Sequence, residues 1–273
     1  MNKFKMICLD IDGTLLNSNH MISQKTKEVI EIAANEKQIP VILVSARMPK
    51  GILFLQEELN INVPIICYSG ALVLDEKNNV LSNSFISISD VRGVYNFVKE
   101  IGVHISLYKD DEWYIEEMDE WAKQEMEITN ISPKVMNFTD LFNVWQQQNL
   151  GPNKILCMGQ HNSIKELDEL IKSYDSSNLN IYPSKPTYLE IMLSIASKTS
   201  AIELLCKRFN VQRSEVIAMG DNYNDIDMIK FAGMGIAMDN APEGVKQYAD
   251  DITLSNDEDG VAEAIKKYIL FKN

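Results

Sequence analysis

A short apolar run, Met6-Ile7-Cys8-Leu9, stops at two carboxylates spaced two apart, Asp10-Ile11-Asp12, with Gly13 directly behind. An unbroken apolar run of this length fits a strand buried on both faces, as in a parallel sheet covered by helices. Side chains at i and i+2 of a strand leave on the same side, so Asp10 and Asp12 can aim at one point. In open parallel sheets, ligands collect beyond the carboxyl ends of the strands, where this pair falls. Crowded acids repel each other and lose solvation. The pair therefore fits either a turn cap or a charged site that holds a cation or performs chemistry.

The rest of the chain shows where that strand belongs. Ser23 is a predicted N-cap for a helix over 23–37, followed by a strand at 39–45, a helix at 51–59 and a strand at 63–69. Strands alternating with helices predict a parallel sheet with right-handed crossovers. The rhythm then changes. Residues 71–87 and 104–118 read as strand pairs, 140–148 and 163–174 as helices, and 154–159 as a strand. The alternation resumes with a helix at 199–209, where Ser200 and Glu203 are spaced as a capping box. A strand at 216–220, a helix at 225–231, a strand at 235–238 and helices at 242–248 and 260–270 follow. The expectation is an α/β chain: residues 1–83 and 187–273 form a doubly wound, Rossmann-like parallel-sheet core, and residues 84–186 form an inserted α+β unit. With 273 residues the chain is long enough for both.

The 26 basic and 39 acidic side chains leave a net charge of −13, which argues against nucleic acid and anionic membrane surfaces as partners. The four cysteines are scattered without metal-ligand spacing, so a reduced, cytoplasmic protein is expected. Asp10 and Asp12 interrupt the N-terminal apolar run too early for a secretory leader. No apolar stretch approaches the ~20 residues needed to span a bilayer. No pattern bears on oligomeric state.

A second acidic cluster, Gly220-Asp221-Asn222-Tyr223-Asn224-Asp225, also follows an apolar strand. In a parallel sheet, Asp221 and Asp225 can share an edge with Asp10 and Asp12. Convergent carboxylates are oxygen ligands suited to Mg²⁺; Asp221 and Asn224 can cap the next helix as well. Calcium loops fail on spacing: Gly13 comes too early, and Ser255-Asn256-Asp257-Glu258-Asp259-Gly260 lacks the acidic first and last positions of an EF-hand. That later segment reads as a turn and N-cap for the last helix. Ser45-Ala46-Arg47 lies at a strand-to-helix turn, where a hydroxyl and backbone N–H groups can hold phosphate oxygens or simply cap. Lys198 stands just before a helix, a position equally open to a solvated surface charge. His20, His104 and His161 are dispersed, and none is assigned to catalysis.

In chain order, Asp10-Ile11-Asp12-Gly13-Thr14-Leu15, Val44-Ser45-Ala46-Arg47, Ala196-Ser197-Lys198 and Gly220-Asp221-Asn222-Tyr223-Asn224-Asp225 resemble the four motifs of the haloacid dehalogenase-like hydrolases. The long insertion, Tyr68-Ser69-Gly70-Ala71, Tyr188-Leu189-Glu190-Ile191-Met192 and Asn256–Gly260 resemble the Cof-type phosphatase branch. The resemblance covers nearly the whole chain. It implies that Asp10 attacks phosphorus and forms an aspartyl-phosphate, and that Asp12 acts as acid and then base. It also implies that Mg²⁺ is held by Asp10, the main-chain carbonyl of Asp12 and Asp221, with Asp225 orienting the site. Ser45, the Ala46 N–H, Lys198 and Asn224 would bind phosphate oxygens, and the inserted unit would act as a specificity cap. Mg²⁺ and Lys198 would also supply the cations that an anionic substrate needs on an acidic chain.

The sequence departs from the branch at three places. Ala46 and Thr199 stand where Gly is usual, and Ser69 where Asn is usual. The expected function is Mg²⁺-dependent hydrolysis of small phosphate monoesters such as sugar or cofactor phosphates. The alternatives are a phosphomutase or phosphotransferase that passes the phosphoryl group to a sugar hydroxyl, and a catalytically idle Mg²⁺-dependent binding or regulatory module. Membrane cation pumps with related motifs are disfavoured, since they resemble Asp-x-Thr at the first motif and carry membrane spans. For the organic part of a substrate the aromatic candidates are Tyr108, Trp113, Tyr114, Trp121 and Trp145, each also suited to core packing.

Overall fold

In the computed structural model, which describes residues 3–173 and 178–271, the opening apolar run forms β1 (Met6–Asp10), buried at every residue. Met6 and Cys8 join a cluster with Ile42, Ala201, Ile202 and Leu205. Ile7 and Leu9, pointing the other way, are equally buried, as a strand covered on both faces requires. The chain continues through α1 (Gln24–Glu31), β2 (Val41–Val44), α2 (Lys50–Glu58), β3 (Ile65–Cys67), β4 (Leu72–Leu74) and β5 (Val80–Asn83). The Ser23 hydroxyl accepts from Thr26 N at 3.1 Å and starts α1, as predicted.

The chain then builds α3 (Ile88–Ile101), β6 (His104–Lys109), β7 (Glu112–Ile115), α4 (Glu120–Thr129), β8 (Lys134–Val135), α5 (Phe138–Gln147), β9 (Lys154–Met158), α6 (His161–Ser173), β10 (Leu179–Lys185) and β11 (Tyr188–Leu193). The predicted last residue of α6, Tyr174, lies outside the described residues. A six-stranded sheet, ordered β10-β11-β9-β6-β7-β8, buries Leu107, Ile155 and Leu189 against Val91, Phe142 and Trp145. Trp113 is buried and stacks on Tyr108 with ring centroids 5.8 Å apart, while Tyr114 meets Trp145 edge to face. Four of the five aromatic candidates thus take part in packing.

The last segment contributes α7 (Lys198–Phe209), β12 (Val216–Gly220), α8 (Ile226–Phe231), β13 (Met234–Ala237), α9 (Glu243–Lys246), β14 (Asp251–Ile252) and α10 (Gly260–Ile265). With β1–β5 it completes an eight-stranded sheet, ordered β14-β13-β12-β1-β2-β3-β4-β5. Neighbours from β14 to β3 run parallel, and β4 turns back antiparallel on β3. Among the described residues no helix is long and apolar enough to cross a membrane. All four cysteines are buried free thiols.

Two boundaries differ from expectation. The chain divides at Ser82/Asn83 and Ala196/Ser197, so the second unit runs ten residues past the predicted 186. The strand β11, expected in the core, pairs antiparallel with β9 and β10. An apolar strand carries no mark of the sheet it joins; the short turn after β10 decides its partner. The helix expected at 199 starts at Lys198, because Ser197 is the N-cap. Its hydroxyl accepts from Ser200 N at 3.0 Å, and Ser200 Oγ accepts from Ser197 N at 3.2 Å, so the capping box closes between two serines rather than Ser200 and Glu203.

Candidate active site

Strand β1 lies between β2 and β12, where the chain order in the sheet reverses, the position at which open parallel sheets bind ligands beyond their carboxyl ends. Asp10 stands opposite Val44, and Leu9 opposite Met219. The first residues beyond β2 and β12, Ser45 and Asp221, therefore emerge at the same edge as Asp10.

Asp10, Asp221 and Asp225 each place a carboxylate oxygen within 4.8 Å of the other two. Lys198 reaches them from the first position of α7. Its Nζ donates to Asp10 Oδ1 at 2.5 Å and to Asp225 Oδ1 at 2.6 Å, with Lys198, Asp10 and Asp225 all buried. Burial opposes the ammonium charge, but the Asp10 and Asp225 carboxylates outweigh it and raise the Lys198 pKa above its ordinary value. Burial, and then the Asp225 charge, push Asp10 well above the usual carboxylate range despite the pull of Lys198. Asp221 is pushed up to about 6, chiefly by burial, against a hydrogen bond from Thr14 Oγ1 at 2.8 Å.

The remaining oxygen of Asp225 accepts from the main-chain N–H groups of Asp221 and Asn222, both at 3.0 Å. Asp225 therefore ties the second cluster to Lys198 as well as adding charge. Two glycines permit this crowding. A Cβ at Gly220 would lie 2.5 Å from Asp225 Cβ, and one at Gly13, where φ is +85°, would lie 2.4 Å from Asp221 Oδ2.

Asp12 goes elsewhere. Its exposed carboxylate is gripped by Arg47, with Nε to Oδ2 at 2.9 Å and Nη2 to Oδ1 at 2.6 Å. Of the four acids assigned to the metal, the carboxylates of Asp10, Asp221 and Asp225 converge, and that of Asp12 does not. Ser45 is buried, and its hydroxyl accepts from Arg47 N at 3.2 Å. Ala46 sits between them in the same turn. Asn224 is exposed, in the turn Tyr223–Asp225.

The donor set fits a hard divalent cation. Three carboxylates face one ammonium, which leaves net negative charge in a desolvated site, and two of those acids have raised pKa values. An oxygen-only set of this charge suits Mg²⁺ rather than a thiophilic metal. The grip of Arg47 on Asp12 and of Thr14 on Asp221 were not singled out from the sequence. Both residues stand inside motifs, but nothing local says which acid each one meets.

The family model of the haloacid dehalogenase-like hydrolases matches residues 7–265. A Haemophilus influenzae protein named as a candidate phosphatase is 34% identical, over 95% of this chain and 96% of its own length. A 5-amino-6-(5-phospho-D-ribitylamino)uracil phosphatase of Bacillus subtilis is 29% identical, over 97% and 96%. The crystal structure of a haloacid dehalogenase-like hydrolase from Bacteroides thetaiotaomicron superposes with a TM-score of 0.87 at 32% identity, covering 98% of this chain and all of that one.

Proposed function

Because the chain belongs to the haloacid dehalogenase-like hydrolases, we propose that it is a Mg²⁺-dependent phosphatase of small phosphate monoesters, working through a phosphoryl group held on Asp10. The observation that carries this reading is the buried Lys198 bridging Asp10 and Asp225 beside Asp221. This reading is supported by the gathering of a carboxylate suited to attack, a buried ammonium and three convergent carboxylates at one strand edge. Sugar phosphates or cofactor phosphates are the substrates this reading favours. The Bacillus relative, named for a phosphorylated ribitylaminouracil, supports a small phosphate monoester as the substrate. The inserted unit, residues 83–196, would select among them.

Asp10, Asp221 and the Asp12 carbonyl would hold Mg²⁺, which when bound neutralises charge on the transferring phosphoryl group. The chain's own groups do the rest. Lys198 engages Asp10 Oδ1, and among the described residues no hydrogen bond engages Oδ2, the oxygen left to attack phosphorus. As the O–P bond to Asp10 forms, the bond to the departing alcohol breaks, and the alkoxide takes the proton of the Asp12 carboxyl in its protonated form, whose OH oxygen has left Arg47. Asp12, now a carboxylate, then takes a proton from water. That water attacks the phosphorus, releasing inorganic phosphate and restoring Asp10. Ser45 Oγ, the Ala46 N–H, Lys198 and Asn224 are the groups assigned to the phosphate oxygens.

The test is hydrolysis of para-nitrophenyl phosphate with Mg²⁺ and with EDTA, for wild type and Asp10→Asn. Activity should need the cation and vanish in the variant while its melting transition remains. Persistent turnover by Asp10→Asn would overturn the nucleophile assignment.

A further inference from the structure

The segment that leaves Asp12 is held from outside by two asparagines remote in sequence. Asn240, just beyond β13, donates from Nδ2 to the Gly13 carbonyl at 2.8 Å. Its Oδ1 accepts from Asn256 N at 3.0 Å. Asn256 in turn donates from Nδ2 to the Leu16 carbonyl at 2.9 Å. These contacts bracket Thr14 and Leu15, both buried, and Thr14 is the residue whose hydroxyl orients Asp221. Next door, Asp257 accepts from both the N–H and the hydroxyl of Ser18, at 2.8 and 2.7 Å. The segment expected to cap the last helix is therefore used differently. No side-chain cap bond is made by Asp259, the residue in the N-cap position of α10.

We infer that Asn240 and Asn256 are positioning residues, forming an amide clamp that fixes the loop between Asp12 and Asn17 and so sets where the Asp12 carboxyl meets the leaving group. A side-chain amide suits this task because it donates and accepts in one plane. Each asparagine spends its donor on a carbonyl of the loop, and the pair is locked by the bond from Asn256 N to Asn240. The clamp gathers the loops after β13 and β14 onto the loop after β1, so movement in any of them reaches Asp12. This inference rests on the reading of Asp12 as the proton donor.

The test compares a good and a poor leaving group, para-nitrophenyl phosphate and phenyl phosphate. Nitrophenolate leaves with little help, whereas phenolate benefits from a placed acid. Asn240→Ala should lower kcat/KM for phenyl phosphate about tenfold more than for the nitrophenyl ester, the scale expected of a displaced but present acid. A merely structural role would slow both esters equally. Asn256→Asp, which exchanges one NH₂ for an oxygen, should reproduce the selective loss if Asn240→Ala folds poorly. Asp12→Asn is the reference. If it discriminates between the esters and neither asparagine variant does, the clamp is wrong while the reading of Asp12 stands. If Asp12→Asn itself slows both esters equally, the acid assignment fails and the clamp falls with it.

Discussion

Arg47 closes on Asp12 as a fork, with both of its contacted nitrogens on different oxygens of the same carboxylate. The same guanidinium reaches the Gly51 carbonyl at 3.3 Å, so the side chain is fixed at both ends of its turn. Geometry of this kind belongs to arginine and not to lysine, whose ammonium is a point charge. The pair is partly exposed, and pairs of that kind contribute only about 0–1 kcal/mol to stability. Its importance is directional. Arg47→Lys should leave the melting transition nearly unchanged but lower kcat by about ten- to a hundredfold, the scale of a small misplacement of a reacting group. Steady-state kinetics beside a thermal melt check this, and an unchanged kcat would show that the fork is dispensable.

Asp221 makes the site pH-dependent. Its pKa rises from an ordinary 3.8 to about 6 in the folded chain. The native state therefore keeps this proton where the unfolded chain has lost it, and stability falls as pH rises through that window. Without metal, melting of wild type relative to Asp221→Asn should drop between pH 4 and pH 6 or so. Bound Mg²⁺ must displace the proton, so its affinity should weaken by about tenfold per pH unit below 6. Calorimetric titration at several pH values measures this; equal affinity at pH 5 and pH 7 would contradict it.

The turn after β3 is strained. Tyr68 and Ser69 both have positive φ, 49° and 51°, where each L side chain costs about 1–2 kcal/mol. Their N–H groups donate to the carbonyls of Arg47 and Ser45, at 3.1 and 2.8 Å, which braces the turn assigned to phosphate. Among the described residues, Ser69 Oγ is buried without a hydrogen-bond partner. Ser69→Gly removes both the strained Cβ and the unsatisfied hydroxyl, and should raise stability by about 1 kcal/mol. Chemical denaturation tests the gain, and a loss would show that the hydroxyl has a use.

Gly13 is the converse case. Gly13→Ala must place a methyl group against the Asp221 carboxylate in a left-handed backbone. A loss of about 1–2 kcal/mol from the backbone alone is expected, with weaker Mg²⁺ binding because Asp221 is displaced. Calorimetry with Mg²⁺ separates the two effects; unaltered metal affinity would mean that Asp221 can move without consequence.

The core and the acid cluster were legible because they depend on local signals. A buried parallel strand is an unbroken apolar run, and Asp10 and Asp221 announce themselves by ending one. The helix α3 was equally legible in principle: Ser87 caps it, and Ile88, Val91, Val94 and Val98 bury one face. Partner choice was not legible. The apolar residues of β11 suit either sheet, and only pairing with β9 assigns them. Asn256 and Asp257 have the chemistry of helix caps, and their bonds to Leu16 and Ser18 span most of the chain. Arg47 poses the same problem, since a basic residue in a capping turn does not name the acid it will hold.

The pairing of Met6 with Val216 has a consequence for how the protein is made. The strand bearing Asp10 leaves the ribosome before its β12 neighbour, which emerges only after the whole inserted unit has been synthesised. Until then the nascent chain carries Asp10 without Asp221 or Asp225 beside it. The acid cluster therefore cannot close until β12 has been made, and a chain stopped within the inserted unit lacks it.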